Sequence, residues 1–344
     1  MASYFAAANT GKGFVGYFDR IFGDVSRLYV IIGGPGTGKS RLLRELASEA
    51  EKKGHACEWF YCSSDPSSLD GVLIEDLDCA MIDGTAPHTW EMKCPGAIEQ
   101  VVDLGQFWDA RKLAAVTEEA QRLTALKRSD YASAYRLLSA VCELEGEIDR
   151  LGREAVLFDK LDRTVERLSR KWSSNGTGIE DLRISTAVSS KGRITLDIPG
   201  SDAPKRVAVT GPRFAVREIL GALYQRAVSY DSDRTVSFEV PDTDHIETLY
   251  LRSEKTMFTS LAFDDPTDIL NAWRFVDRDI LKKHRSRIRF YERCRDSLYD
   301  AALERMTSAG VHHADLEELY GGAMDFAAKE SYCKGMIGEI LRGK

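Results

Sequence analysis

The sequence predicts an α/β protein built from two related units, each followed by a helical arm. Three observations predict it. An apolar run, residues 28–32, passes directly into Gly33-Gly34-Pro35-Gly36-Thr37-Gly38-Lys39-Ser40 and then into a helical pattern. Apolar residues recur at three- and four-residue spacing over 109–172. Residues 210–220 lie against 33–43 without a gap, 177 positions later.

In chain order, residues 4–27 form a lead-in. Asn9-Thr10-Gly11-Lys12-Gly13 has loop chemistry, with a second contact to a bound nucleotide as one reading and a packed lead-in as the other. Phe14, Tyr17, Phe18, Ile21 and Phe22 suggest a short amphipathic helix. The helix opening at Ser40 carries Leu42, Leu43, Leu46, Ala47 and Ala50 on one face, and Lys52-Lys53-Gly54 closes it. Residues 56–62 read as a strand stopped by Ser63-Ser64-Asp65-Pro66, and 78–82 as a strand ending at Asp83.

Beyond Asp109 the spacing predicts a helix through Leu126, a turn at Lys127-Arg128-Ser129-Asp130, and a second helix over 137–172. Gly146 and Gly152 are its candidate interruptions. Two such seams would zip into an antiparallel hairpin. Ser173-Ser174-Asn175-Gly176-Thr177-Gly178 marks a linker. The domain reading is 1–109, an arm over 110–175, a second α/β unit over 176–280, and a second arm over 281–344. A turn at Gly310-Val311-His312-His313 precedes a last helix capped by Asp315 and Glu318.

The pattern G-x-x-x-x-G-K-S between strand and helix is phosphate-binding chemistry. Glycines let backbone N–H groups approach phosphate oxygens, Lys39 supplies charge for the β- and γ-phosphates, and the Ser40 hydroxyl can ligate Mg²⁺. Gly33 through Ser40, with Arg41, are the expected nucleotide contacts. Asp83 is the expected second carrier of the metal's water shell. Gly84 follows it, so no Glu stands beside Asp83 to activate water; Asp65, Asp70 and His88 are the candidates for that duty or for holding a substrate.

In the second unit Val216 stands for Lys39, Ala215 for Gly38, Arg213 for Gly36 and Ser260 for Asp83. That loop can neither approach nor neutralise a triphosphate. Lys12-Gly13 is echoed by Lys191-Gly192, and Phe107-Trp108-Asp109 by Phe275-Val276-Asp277.

A net charge of −7 argues against wholesale nucleic-acid binding, although the basic tract 282–295 leaves a local contact open beside the alternative of a solvated helix face. Seven cysteines without a C-x-x-C pair point to reduced thiols and a cytoplasmic setting, and no apolar run is long enough to span a bilayer.

With these residues in hand, the chain resembles a family of bacterial tandem phosphate-loop proteins described as predicted ATPases. The resemblance is carried by Asn9-Thr10-x-Lys12-Gly13-Phe14, by 33–40, by Cys62-Ser63-Ser64-Asp65-Pro66-x-Ser68-Leu69-Asp70-Gly71, and by Ile82-Asp83-Gly84-Thr85-Ala86-Pro87-His88. It implies a tandemly duplicated P-loop NTPase fold, a three-layer α/β/α sandwich in each unit, with a helical hairpin arm on each. The chain departs from the family at 213–217, where relatives usually keep a second intact loop. The expected activity is ATP binding with Mg²⁺ and slow hydrolysis, coupled to movement between the halves or in a protein partner reached through the arms. A kinase whose acceptor sits on 62–71 and 84–88, and a nucleotide-gated scaffold, are the alternatives.

Overall fold

Alternating side chains on the central strands bury both faces of a sheet, and that requirement shapes each half. The computed structural model describes residues 2–172 and 176–342. Ser173, Ser174 and Asn175 of the expected linker lie outside the described residues. The first half contains β1 (Ala2–Phe5), the hairpin β2 (Ala7–Thr10) and β3 (Gly13–Gly16), α1 (Phe18–Phe22), β4 (Arg27–Ile32) and α2 (Lys39–Lys52). There follow β5 (Cys57–Tyr61), β6 (Leu69–Ile74), β7 (Cys79–Asp83), β8 (Glu99–Asp103), α3 (Ala110–Ala115), α4 (Thr117–Arg153) and α5 (Phe158–Ser169). Six strands form one sheet in the order β1-β5-β6-β7-β4-β8, mixed because β6 runs antiparallel to both β5 and β7.

In β4, Tyr29 and Ile31 join a core with Leu42, Leu43 and Leu46 of α2, while Leu28 and Val30 point to the opposite face. The alternation continues in β7, where Cys79 and Met81 face α2 and Ala80 and Ile82 face away. The second face is covered by α1 and the other half of the chain. The lead-in loop expected at 9–13 is a hairpin, and its turn lysine Lys12 pairs with Asp244 of the second half at 2.7 Å.

The second half runs β9 (Glu180–Leu182), β10 (Thr186–Ser189), β11 (Gly192–Thr195), β12 (Lys205–Thr210), α6 (Arg213–Ser229), β13 (Arg234–Phe238), β14 (Ile246–Leu251), β15 (Thr256–Thr259) and β16 (Asp268–Asn271). Then come α7 (Arg278–Gly321) and α8 (Phe326–Ile340). Its sheet order, β16-β12-β15-β14-β13-β9, matches the first strand for strand, with the same two antiparallel pairings. The lysine of its hairpin turn, Lys191, reaches back to Asp65 at 3.8 Å.

The arms differ from the sequence expectation. Residues 127–130 do not turn: α4 runs through them and through Gly146 and Gly152 for 37 residues. The tract has neither Gly nor Pro to break a helix, and its polar groups have other work. Asp130 accepts a hydrogen bond from Ser308 at 2.6 Å and lies 3.5 Å from Arg305, while Lys127 Nζ lies 3.4 Å from His313 Nδ1. All three partners belong to α7, so α4 pairs with the long helix of the other half and not with a hairpin partner of its own. Likewise 310–313 is helical, inside the 44-residue α7, and Thr307 and Gly310 lie against Ser190. The last helix is capped by Asp325, whose carboxylate accepts from Ala328 N–H at 3.0 Å, and not by Asp315.

Each arm then returns to the opposite half. Leu157 N–H donates to Phe275 O and Asp277 N–H to Ala155 O, both at 2.8 Å, and Val156 bridges Val276. The counterpart contacts are Asp325 N–H to Phe107 O at 2.9 Å, Asp109 N–H to Ala323 O at 2.8 Å, and Trp108 bridging Met324. As a result α5 lies on α6 of the second half, and α8 lies on α2 of the first. Among the described residues no helix is long and apolar enough to cross a membrane. The basic tract 282–295 lies on the largely exposed opening stretch of α7, as a solvated helix face would.

Candidate phosphate-binding site

The strand-to-helix turn between β4 and α2 places Lys39 and Ser40 at a helix start, where backbone N–H groups lack partners within the helix. Gly36 and Gly38 take φ values of +72° and +78°, which side-chain-bearing residues rarely adopt. Thr37 Oγ1 donates to Gly34 O at 2.9 Å, and Lys39 Nζ donates to Gly33 O at 2.8 Å and Gly34 O at 2.9 Å. The loop is therefore preformed, with its lysine folded over it.

Asp83 arrives on the neighbouring strand. β7 runs parallel to β4 with Ile31 opposite Asp83, so both strands deliver their last residues to one edge. Asp83 Oδ2 lies 3.6 Å from Lys39 Nζ. Its Oδ1 accepts from Thr85 N–H at 2.8 Å, and Thr85 Oγ1 donates to Gly33 O at 2.7 Å, tying the strand end to the loop. Ser40 Oγ accepts from Leu69 N–H at 2.9 Å. Arg41 points outward, pairing with Glu45 at 2.9 Å and Glu330 at 2.7 Å.

The three candidate bases separate. Asp65 is half exposed and holds its own turn, accepting from Ser67 N–H at 3.1 Å and Ser67 Oγ at 2.6 Å. Asp70 and His88 are buried together, 3.6 Å apart, with Phe14 and Phe18 against the imidazole. Burial pushes the Asp70 carboxyl up to about 6, against the pull of His88 and with a further push from Asp83. Among the described residues, Asp70 Oδ2 and His88 Nδ1 have no hydrogen-bond partner. With Cys62 their donor atoms lie within 4.8 Å of one another, but burial drives the Cys62 thiol well above its usual range and keeps it protonated.

Four groups that the sequence reading did not assign to the site come from the arms. Glu317 on α7 stands beside Gly36; burial raises its carboxyl, with a further push from Asp65 and against the pull of Lys39 and the Gly36 backbone. The α7 backbone is so close that a Cβ on Gly36 would lie 2.3 Å from Glu317 O. His313 falls to about 4, first through burial and then through Lys127 and Lys39; Lys127 is lowered by burial and then by Arg128 and Lys39. From α8, Lys329 places Nζ 3.5 Å from Gly38 O. Of these, only Lys329 left a legible trace, as a lysine on the apolar seam of Phe326, Cys333, Ile337 and Ile340.

At the corresponding place in the second half, Arg213 and Arg217 meet carboxylates. Arg217 pairs with Asp149, with Glu239 at 2.8 Å and with Asp242 at 3.3 Å; Arg213 pairs with Glu145 and with Glu239 at 2.5 Å. Arg217 is buried and its guanidinium is held still more firmly charged by Glu239 and Asp149, outweighing its desolvation.

No family model matches this chain, and neither a curated protein nor a solved structure matches it.

Proposed function

We propose that the chain binds ATP with Mg²⁺ at residues 33–41 and hydrolyses it slowly, using the exchanged arms to couple the nucleotide state to the relative placement of its halves. The observation that carries the reading is the convergence of Lys39, Ser40 and Asp83 at the ends of two adjacent parallel strands, around a loop with two left-handed glycines. Lys39 would leave the Gly33 and Gly34 carbonyls for the β- and γ-phosphates, Ser40 would ligate Mg²⁺, and Asp83 would hold the metal's water shell. Asp70, buried with a carboxyl poised near 6, is the base we assign to the attacking water.

We further read the two halves as a tandem duplication of one phosphate-loop unit, related to the bacterial family named above. Equal strand order supports it, as do equal arms: Arg278 and Gly321 stand 168 positions after Ala110 and Arg153. The second unit is then a pseudo-site.

Calorimetry of Mg·ATP binding and phosphate release tests the reading. Lys39→Ala should abolish both, and Asp83→Asn should retain binding while lowering turnover about 100-fold, the scale of losing transition-state electrostatics. Absence of ATP binding by the unaltered chain would overturn it.

A further inference from the structure

We propose that Lys329, carried by the arm of the second half, is a phosphate ligand of the first half's loop, so that the nucleotide site is composite. The inference rests on the reading above. Lys329 is 2% exposed, yet no carboxylate lies within ion-pair distance of it among the described residues. Its polar contact is one long bond to Gly38 O at 3.5 Å, and its ammonium sits 5.8 Å from the Phe326 ring centroid. A buried ammonium so poorly matched is costly unless an anion joins it.

The geometry says where that anion belongs. A Cβ on Gly38 would lie 2.5 Å from Lys329 Nζ, so the amine stands against the residue just before α2. Here the helix N-terminus, the left-handed glycine and Lys39 already present positive potential. Asp325 fixes the start of α8 and Arg41 pairs with Glu330, so the helix bearing Lys329 is anchored beside the loop.

The other half supplies an internal control. At the 168-residue offset that relates the arms, Lys329 corresponds to Leu161, which is buried in the apolar core beside α6. The lysine is present only against the loop that keeps Lys39.

The test measures Mg·ATP and Mg·ADP affinity by calorimetry for the full chain, Lys329→Leu, Lys329→Arg and Lys39→Ala. Lys329→Leu should weaken both nucleotides by about tenfold or more, the loss of one charge-assisted contact, with partial rescue in Lys329→Arg. Its nucleotide-free melting temperature should be equal or higher, because a buried charge is removed, while the nucleotide-induced rise in melting temperature shrinks. If the leucine variant melts lower, Lys329→Met, which keeps the apolar stem, carries the comparison. Affinity within twofold of the unaltered chain in a folded Leu or Met variant, with Lys39→Ala inactive, overturns the role of Lys329 and leaves the nucleotide site standing. No binding by any chain overturns both.

Discussion

The loop at 33–40 and the short turn with the start of α6 at 210–217 follow equivalent strands in two sheets of the same order, and they solve the problem of charge in opposite ways. In the second half the space is closed from within: Arg217 and Arg213 enter from α6, and Glu145, Asp149, Glu239 and Asp242 enclose them. Each guanidinium there is held by at least two carboxylates, four acids around two arginines. In the first half one buried cation stands without such a partner. Lys39 lies 3.6 Å from Asp83 and lowers His313 together with Lys127, whereas Lys329 has no carboxylate at ion-pair distance among the described residues. Where one half surrounds its arginines with acids, the other keeps a buried lysine beside the loop without an acid, an arrangement that favours an anion there.

The sharpest way to break this contrast is to count ligands. If the acids around Arg213 and Arg217 close the second half, one Mg·ATP binds per chain and Lys39→Ala leaves none, a loss of more than about 100-fold given the number of charge-assisted contacts to phosphate. Residual binding that disappears only with Arg213→Ala would show that the second loop is a site of another kind.

Next in size is the network itself. Arg217→Met leaves Glu145 and Glu239 buried and Asp149 half-buried around an apolar stem, and removing one partner of a buried ion pair typically costs about 3–5 kcal/mol. Urea denaturation should show that loss without a change in nucleotide affinity. A cost below about 1 kcal/mol would mean the carboxylates find water, and the second loop is open after all.

Much of the fold was legible because local chemistry decided it. The periodicities of 42–50 and 79–83, and the glycines at 36 and 38, each admit one backbone. The arms were not legible in the same way. Spacing shows that α4 has an apolar seam, but the seam on α7 serves it as well as one on 137–172, and only tertiary packing chooses. Asp130 and Lys127 look like turn residues until Ser308 and His313 stand opposite them. For the same reason Lys39, Ser40 and Asp83 could be read from motif and flanks, whereas Glu317 and Lys329 depend on which half each arm returns to. Asp70 and Asp65 were indistinguishable as letters; burial separates them.

A pH series sharpens the first half alone. Asp70 is raised from 3.8 to about 6 in the folded chain. Its neutral form therefore favours folding below 3.8, and that contribution is lost as pH rises through about 6. Asp70→Asn should flatten the fall in stability across this window. His313 has the opposite sign: held down to about 4 from 6.5, it adds stability above 6.5 that is lost as pH falls toward 4. His313→Gln should flatten that limb, and thermal melts of the two variants against the parent separate the contributions. An Asp70→Asn curve parallel to the parent's would mean that the carboxyl titrates normally and is not the poised base.

The smallest expected effect bears most directly on how the two halves differ. Glu317 stands beside Gly36 and Lys39, next to the backbone nest where we place a phosphate, and it lies 168 positions after Asp149, which Arg217 holds in the second half. One carboxylate is locked by a guanidinium; the other feels the pull of Lys39 and the Gly36 backbone and can be displaced. A nucleotide must then compete with Glu317 for the nest. Burial already disfavours its charged form, so the competition is weak. Glu317→Gln keeps the shape and removes the charge, and it should tighten Mg·ATP about two- to fivefold, the scale of a partly screened ion pair. Combined with Lys329→Leu, which acts in the opposite direction on the same loop, it should restore part of the lost affinity. Weaker binding in Glu317→Gln would reverse the assignment: the carboxylate would then serve the bound metal, and the arm would be a constituent of the loaded site and not its competitor.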